Sequence, residues 1–265
     1  MALNMRGDDH LEDLTEAEFL ERYRPEAYPR PSVAVDLVLL SVTGDALRVH
    51  GVRRKAHPHR GRFALPGTFV REDEALEAAA ARVLREKAGL SRVSLEQLAT
   101  FGTPKRDPRM RVISVAYLAL VPGWELARLS APLVDADVAA SFEGLDEGSV
   151  RLRSESGVEL PTAFDHATII ATALRRLRGK LAYAPIGYSL LPHEFTLLAL
   201  QRTHEVILGR ALNKDSFRRR MLATGDLEPT STYEAGVGHR PAELYRYKRR
   251  FPQRVPREMP HERAT

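Results

Sequence analysis

The chain has 265 residues, 43% hydrophobic and 28% charged, with no cysteine and a formal net charge of +5 at pH 7. That length suits one large or two ordinary domains with real cores, and the missing cysteine excludes disulfides and thiolate metal sites. No run approaches the roughly 18 apolar residues that a membrane span needs, and the acidic start MALNMRGDDHLEDL is not a signal peptide, so the expected compartment is the cytoplasm.

Residues 1–30 read as an extension with one short helix, in which Thr15 caps and Glu18 reaches back. Pro25, Pro29 and Pro31 then forbid helix. SVAVDLVLLSV is β-rich and nearly all apolar, a buried strand, and TGD turns it into the alternating strand ALRVHGVRR. KAHPHRGR is loop and FALPGTFV a short strand. Glu74 to Lys87 is helical and stops at Gly89. RVSLEQLATFGT and RVISVAYLALVP give further strands. PLVDADVAASFEGLDEG reads as acidic loop with a short helix, and VRLRSESGVEL as a hairpin. The fold class is α+β. A first body spans 31–160, Asp165 to Lys180 is a periodic helix within a linker, 161–182, and Gly179 and Pro185 mark a hinge into a second body, 183–252, followed by a flexible basic tail, 253–265.

The stretch RFALPGTFVREDEALEAAAARVLREKAGL brings a Gly-bearing strand end onto a helix. Positions 83, 86 and 87 share one helical face. Carboxylates there, beside a Gly-turned loop, suit Mg²⁺ held against a diphosphate. The residues present are Val83, Glu86 and Lys87. One carboxylate beside an ammonium is a poor site for a hard dication, whereas Lys87 can neutralise a diphosphate directly. An ordinary amphipathic helix of mixed charge remains open on these residues alone.

This stretch resembles the Nudix box: Gly, five residues, Glu, seven residues, then Arg-Glu-apolar-x-Glu-Glu-x-Gly-apolar. The box Gly falls on Thr68, the first Glu on Glu74, the Arg on Arg82, and the acidic positions on Val83, Glu86 and Lys87. Gly89 and Leu90 close it. The spacing is kept while acidic metal positions and the box Gly are lost. The resemblance therefore implies the Nudix α/β/α sandwich with impaired hydrolysis, no catalytic residue, no metal site and no required cofactor, and it implies that Glu74 and Arg82 pair. TFGTPKRDPRMRVISVAYLAL resembles the segment of Nudix proteins that handle ADP-ribose. It implies ligand contacts from Lys105, Arg106, Asp107 and Arg109, with Phe101 stacking on adenine. Arg53 and Arg54 join this ligand set, as do Glu74, Arg82, Glu86 and Lys87.

The C-terminal unit is basic: Gln201 to Thr265 hold 14 Lys+Arg against 8 Asp+Glu, or +6, so residues 1–200 carry about −1. Such an asymmetry suggests a polyanion partner for this unit, or else a solubilising tail. FTLLALQRTHEVILG is a helix that Thr196 can cap, and His204 on it reads as a packed histidine. RALN turns, and NKDSFRRRMLATG is a second helix, with Asn213 as cap and Phe217, Met221 and Leu222 inward. Gly236 and Gly238 make the tip of a hairpin. Helix, helix, hairpin is the winged-helix order, with double-stranded DNA as partner. The expected DNA contacts are Thr196, Lys214, Ser216, Arg218, Arg219 and Arg220, with His239, Arg240, Arg246 and Lys248 on the wing.

A degenerate Nudix box followed by a basic winged helix resembles the NrtR family of Nudix-related transcriptional regulators. YAPIGYSLLPHEFTLLALQ and SFRRRML followed by GHRPAELYRY carry the resemblance, which covers about residues 30–250. It implies a homodimeric, nucleoid-associated repressor of NAD-biosynthesis genes that senses ADP-ribose or a related NAD metabolite. Rival readings are a working hydrolase using Asp135, Asp137 or Glu143, a sister regulator sensing a sugar, and a scaffold that does not bind DNA.

Overall fold

The structure, a computed structural model, describes residues 14–91, 93–126, 134–142, 148–181, 184, 186–236, 238 and 240–248. The chain parts into two compact units, Met1–Pro31 and Ser32–Thr265. In the first, α1 (Glu16–Arg22) has the capping box its sequence implies: the Glu18 N–H donates to the Thr15 hydroxyl and the Thr15 N–H to the Glu18 carboxylate. A single 3-10 turn follows at Pro25–Ala27.

The second unit opens with β1 (Ser32–Thr43) and β2 (Ala46–Arg53), joined through Gly44 at φ 60°. The expected strand FALPGTFV is two pieces, β3 (Phe63–Ala64) and β4 (Gly67–Phe69), because Pro66 lacks the N–H that a continuous ladder needs. Helix α2 (Leu76–Ala88) is followed by Gly89 in the left-handed region at φ 68°, where its N–H satisfies the carbonyl of Arg85. Next come β5 (Glu96–Phe101), β6 (Val112–Leu120) and the single turn α3 (Gly123–Leu126). Where an acidic loop was expected stands β7 (Val134–Phe142), paired with both β2 and β8 (Gly148–Arg153). Ala136, Ala139 and Ala140 make its alternation faint, which hid the strand. The expected hairpin within VRLRSESGVEL is present as a short one on the edge of β8 that β7 leaves free: Arg153 bridges Glu159, the Ser154 N–H donates to the Val158 carbonyl and the Leu160 N–H to the Leu152 carbonyl.

The sheet runs β5-β6-β1-β2-β7-β8, with β3 beside β2 and β4 beside β1. Side chains of β1 alternate between two cores. Val35, Leu37 and Leu39 meet Ala79, Ala80, Val83 and Leu84 of α2. Val38 and Leu40 share the opposite core with Ile169, Ile170, Ala173, Leu174 and Leu177 of α4 (His166–Lys180). The α/β/α sandwich is thus closed by α4, so the helix read as a linker is a layer of the first body as well as its connection onward. Gly179, expected at a hinge, lies inside this helix.

Beyond α4, a 3-10 turn at Ile186–Leu190 leads into β9 (Phe195–Thr196), α5 (Leu197–Leu208) and α6 (Lys214–Ala223). The hairpin β10 (Leu227–Tyr233) and β11 (Glu243–Tyr247) then joins β9 in the order β10-β11-β9. Phe195, Leu197, Leu200, Phe217, Met221, Leu227 and Tyr245 form a separate core. Leu222, expected inward, is 39% exposed. Ile207 at the end of α5 belongs to the core under α4, so the two bodies are continuous there.

Candidate functional site

A cleft of about 320 Å³ opens where β1, β4, the end of β2, the β5–β6 loop and the start of α4 converge. Its floor is Asp36, a buried carboxylate on an otherwise apolar strand, which accepts from the Ser114 hydroxyl at 2.5 Å. β4 lies so close here that a Cβ on Gly67 would fall 2.2 Å from Asp36 Oδ1, which accounts for glycine in LPG.

Four cations surround the floor. Arg106 donates to Asp165 through two nitrogens, at 2.8 and 2.6 Å, and stands 3.5 Å from Asp36. Burial alone pushes its guanidinium pKa down; Asp165 and Asp36 more than offset that and keep it charged. Arg109 makes a two-pronged pair with Asp107, and this fork holds the Asp107 carboxyl below its usual range. Arg54 is anchored to the Pro58 carbonyl and lies 4.7 Å over the Phe164 ring. Lys87 donates to the Gly67 carbonyl, and burial pushes its ammonium pKa down while Asp36 resists.

The cleft therefore brings together Arg54, Lys87, Arg106, Asp107 and Arg109. Other residues expected to bind ligand lie elsewhere. Glu74 and Arg82 are committed to each other through two bonds of 2.7 Å, which pin the loop onto α2. Glu86 is exposed and only reaches back to Arg82. Arg53 points outward to the Gly61 carbonyl, and Lys105 is exposed in a turn. Phe101 is partly buried against the core under α4 and is not among the residues lining this cleft. Val83 is not on an open face: it is wholly buried between α2 and the sheet. Asp137 pairs with Arg48 at 3.2 Å and lines a separate hollow of about 460 Å³. Glu143 and the side chain of Asp135 lie outside the described residues. Among the described residues no group of three His, Cys, Asp or Glu could hold a metal.

Residues at the start of α4 were not foreseen. Phe164, at a left-handed φ of 49°, puts its ring against Arg54 and Arg109. His166 is buried and accepts the Leu65 N–H at Nδ1, 2.9 Å away. A neutral His166 therefore carries its proton on Nε2, 3.8 Å from Asp36. Burial pushes its pKa down, with Asp36 and Asp165 acting against the shift. Below about pH 6.5 the unfolded chain takes up a proton that folded His166 refuses. Stability is therefore whole above that pH and falls as pH drops, by at most about 1.4 kcal/mol per pH unit for this group. His166→Asn keeps an acceptor for Leu65 and removes this share. A plot of Tm against pH between about 7.5 and 5.5 is expected to be flatter for the variant; an identical slope refutes the assignment.

In the C-terminal body Asn213 caps α6, its side chain accepting the Ser216 N–H at 3.0 Å. Lys214, Ser216, Arg218, Arg219 and Arg220 are exposed along α6. Arg246 is paired with Glu228, Lys248 donates to the Gly225 carbonyl, and Arg240 is exposed near the wing tip. Thr196 is buried, and its hydroxyl caps α5 as expected by accepting the Ala199 N–H. His239 lies outside the described residues. His204 is buried, bonded to the Leu200 carbonyl and edge-on to Phe217, a packed histidine as expected.

A cationic cleft in an α/β/α sandwich joined to a helix–helix–wing unit defines a ligand-sensing, winged-helix class of protein. Residues 30–142 match the NUDIX domain model and residues 187–247 the NrtR DNA-binding winged helix domain. The chain is 36% identical over 235 residues, 88% of each chain, to the ADPR responsive transcriptional repressor NtrR of Acinetobacter baylyi. It is 33% identical over 179 residues, 67% of this chain and 92% of the relative, to an ADP-ribose pyrophosphatase of Methanocaldococcus jannaschii. A crystal structure of Shewanella oneidensis NrtR complexed with a 27mer DNA superposes with a TM-score of 0.63 at 32% identity, over 82% of this chain and 93% of that one. The chain belongs to the NrtR family of Nudix-related transcriptional regulators.

Proposed function

We propose that the chain is an ADP-ribose-responsive transcriptional repressor of NAD-biosynthesis or salvage genes. Two copies pair in the cytoplasm, on the nucleoid, and set their winged helices on a pseudo-palindromic operator about one helical turn apart. ADP-ribose or a related NAD metabolite enters the cleft without being hydrolysed and weakens the hold on DNA. One observation carries this reading: Val83 is sealed in the core and Lys87 faces the cleft, where a hydrolase would carry carboxylates, on a body continuous with a basic winged helix. The A. baylyi relative, named as an ADPR responsive repressor and matched along 88% of both chains, supports it.

In this mechanism Arg54, Lys87, Arg106 and Arg109 meet the diphosphate. Phosphate oxygens compete with Asp165 for Arg106, so an occupied cleft loosens the start of α4. The far end of α4 is tied to α5, where Arg178 Nε donates to the Ile207 carbonyl at 2.7 Å. Linkage then requires DNA to weaken ADP-ribose binding by the same factor.

The test is a gel shift of the full chain on DNA upstream of its own and neighbouring genes, with and without ADP-ribose. A salt-sensitive shift that ADP-ribose reverses is expected. Equal ADP-ribose affinity with and without the DNA sinks ligand-driven release. The M. jannaschii relative favours a second reading, hydrolysis. Release of AMP from ADP-ribose with Mg²⁺ or Mn²⁺ above background would establish it, and none is expected.

A further inference from the structure

The basic residues of α6 do not share one job, and their partners separate them. Phe217 and Met221 are sunk in the core of the winged helix, 3% and 9% exposed. At about 100° per residue, Arg219, two positions from each, points directly away from that core. Asp215, Arg219 and Leu222 stand at i, i+4 and i+7, so they form one stripe along the outer crest. Lys214 and Arg218 fall on one flank, Ser216 and Arg220 on the other.

The flanking arginines are engaged. Arg218 lies beside the Tyr245 hydroxyl, whose pKa burial and Glu243 push up and Arg218 draws back. The Arg220 guanidinium lies 5.6 Å over the Phe217 ring. Arg219 has no hydrogen bond, ion pair or ring contact among the described residues. Its neighbours on the crest are chemically telling. A carboxylate such as Asp215 is repelled wherever a helix meets phosphates, and it is tolerated over base edges that offer an amino donor. Leu222, large, apolar and 39% exposed, has no use against phosphate and suits a thymine methyl group.

We propose that Arg219 is the base-reading residue of this protein. Its guanidinium fork takes O6 and N7 of one guanine per half-site in the major groove, and Leu222 packs on a neighbouring thymine methyl. Arg218 and Arg220 hold the phosphates on the two walls of the groove. The inference rests on the DNA-binding function proposed above and adds which side chain carries sequence.

The test selects duplexes from a randomised DNA library with the full-length chain, without ADP-ribose, and repeats the selection with Arg219→Ala, Arg219→Lys and Arg218→Ala. Arg219 is exposed, so its variants should fold; an unchanged ADP-ribose-induced rise in Tm checks this. Wild type is expected to select a two-fold site with a strong guanine in each half. Arg219→Ala should lose that guanine, a discrimination on the order of 10- to 100-fold falling to about 1, with the rest of the site kept, while Arg219→Lys, which can still donate to O6 and N7, should keep part of it. Arg218→Ala should weaken all sequences alike and lower the salt slope by about 1. If Arg219→Ala still selects the wild-type guanine, or loses affinity uniformly across sequences, Arg219 does not read a base and the proposal is overturned. If wild type enriches no sequence at all, the DNA-binding function falls, and the proposal with it.

Discussion

Val83→Glu lowers the stability of the sandwich by about 3 kcal/mol or more, and millimolar Mg²⁺ does not restore it. Val83 is fully enclosed by α2 and the sheet, among Val35, Leu37 and Leu39. A carboxylate there is enclosed by apolar side chains, and the neighbouring Arg82 is already held by both oxygens of Glu74. It must either protonate or drag water into the core. Denaturant melts with and without Mg²⁺ measure this. Full rescue by the metal would show that the position still opens onto a metal site and that loss of one acid is the main barrier to hydrolysis.

Lys87→Glu completes the test from the cleft side. It exchanges an ammonium for a carboxylate beside Asp36, in a half-buried setting where charge reversal acts strongly. ADP-ribose affinity should fall on the order of 100-fold or more, and less for Lys87→Met, which only removes the charge. Undiminished affinity in Lys87→Glu would mean that Lys87 does not meet the diphosphate.

What the sequence made legible was whatever local pattern controls. Thr15 with Glu18, Gly89 and Asn213 are end signals that act within one turn of chain, and each works as read. The apolar run at β1 and the spacing from Glu74 to Gly89 sufficed for the sandwich and its box helix. The cleft was only half legible, because it depends on where remote segments return. Arg106 and Arg109 stood out as a cluster of cations, yet nothing local says that PTAFDHA closes over them 59 residues later. Asp36 did leave a signal: one carboxylate inside SVAVDLVLLSV must be paired if the strand is buried, and its partners turn out to be Ser114, Arg106 and His166. At Phe101 the sequence is ambiguous: an aromatic at a strand end looks the same whether it faces a ligand or packs on the core, and here it packs on the core under α4. Thr196 carried two roles in the sequence, cap and DNA contact, and the structure shows the first: its buried hydroxyl accepts the Ala199 N–H.

Arg178→Met should separate sensing from release. The wild type is expected to couple ADP-ribose and DNA by roughly 5- to 150-fold, and α4 is built to transmit it. Its start is held to the cleft by Asp165 on Arg106. Its last turns are fixed to β5, since Glu96 accepts from Arg176 and Lys180. Arg178 alone of these last-turn cations reaches α5, through a carbonyl in its final turn. Methionine keeps the apolar stem and removes the donor, so neither body loses its core. DNA affinity without ligand and ADP-ribose affinity without DNA should each stay within a few-fold of wild type, while the ratio linking them falls toward 1. Asp165→Asn, at the other end, should shift that ratio too, but with a change in ADP-ribose affinity, because it frees Arg106 for the ligand. If Arg178→Met leaves the coupling intact, the signal does not pass through this bond, and the apolar seam around Leu177, Leu181 and Ile207 is the remaining route between the two bodies.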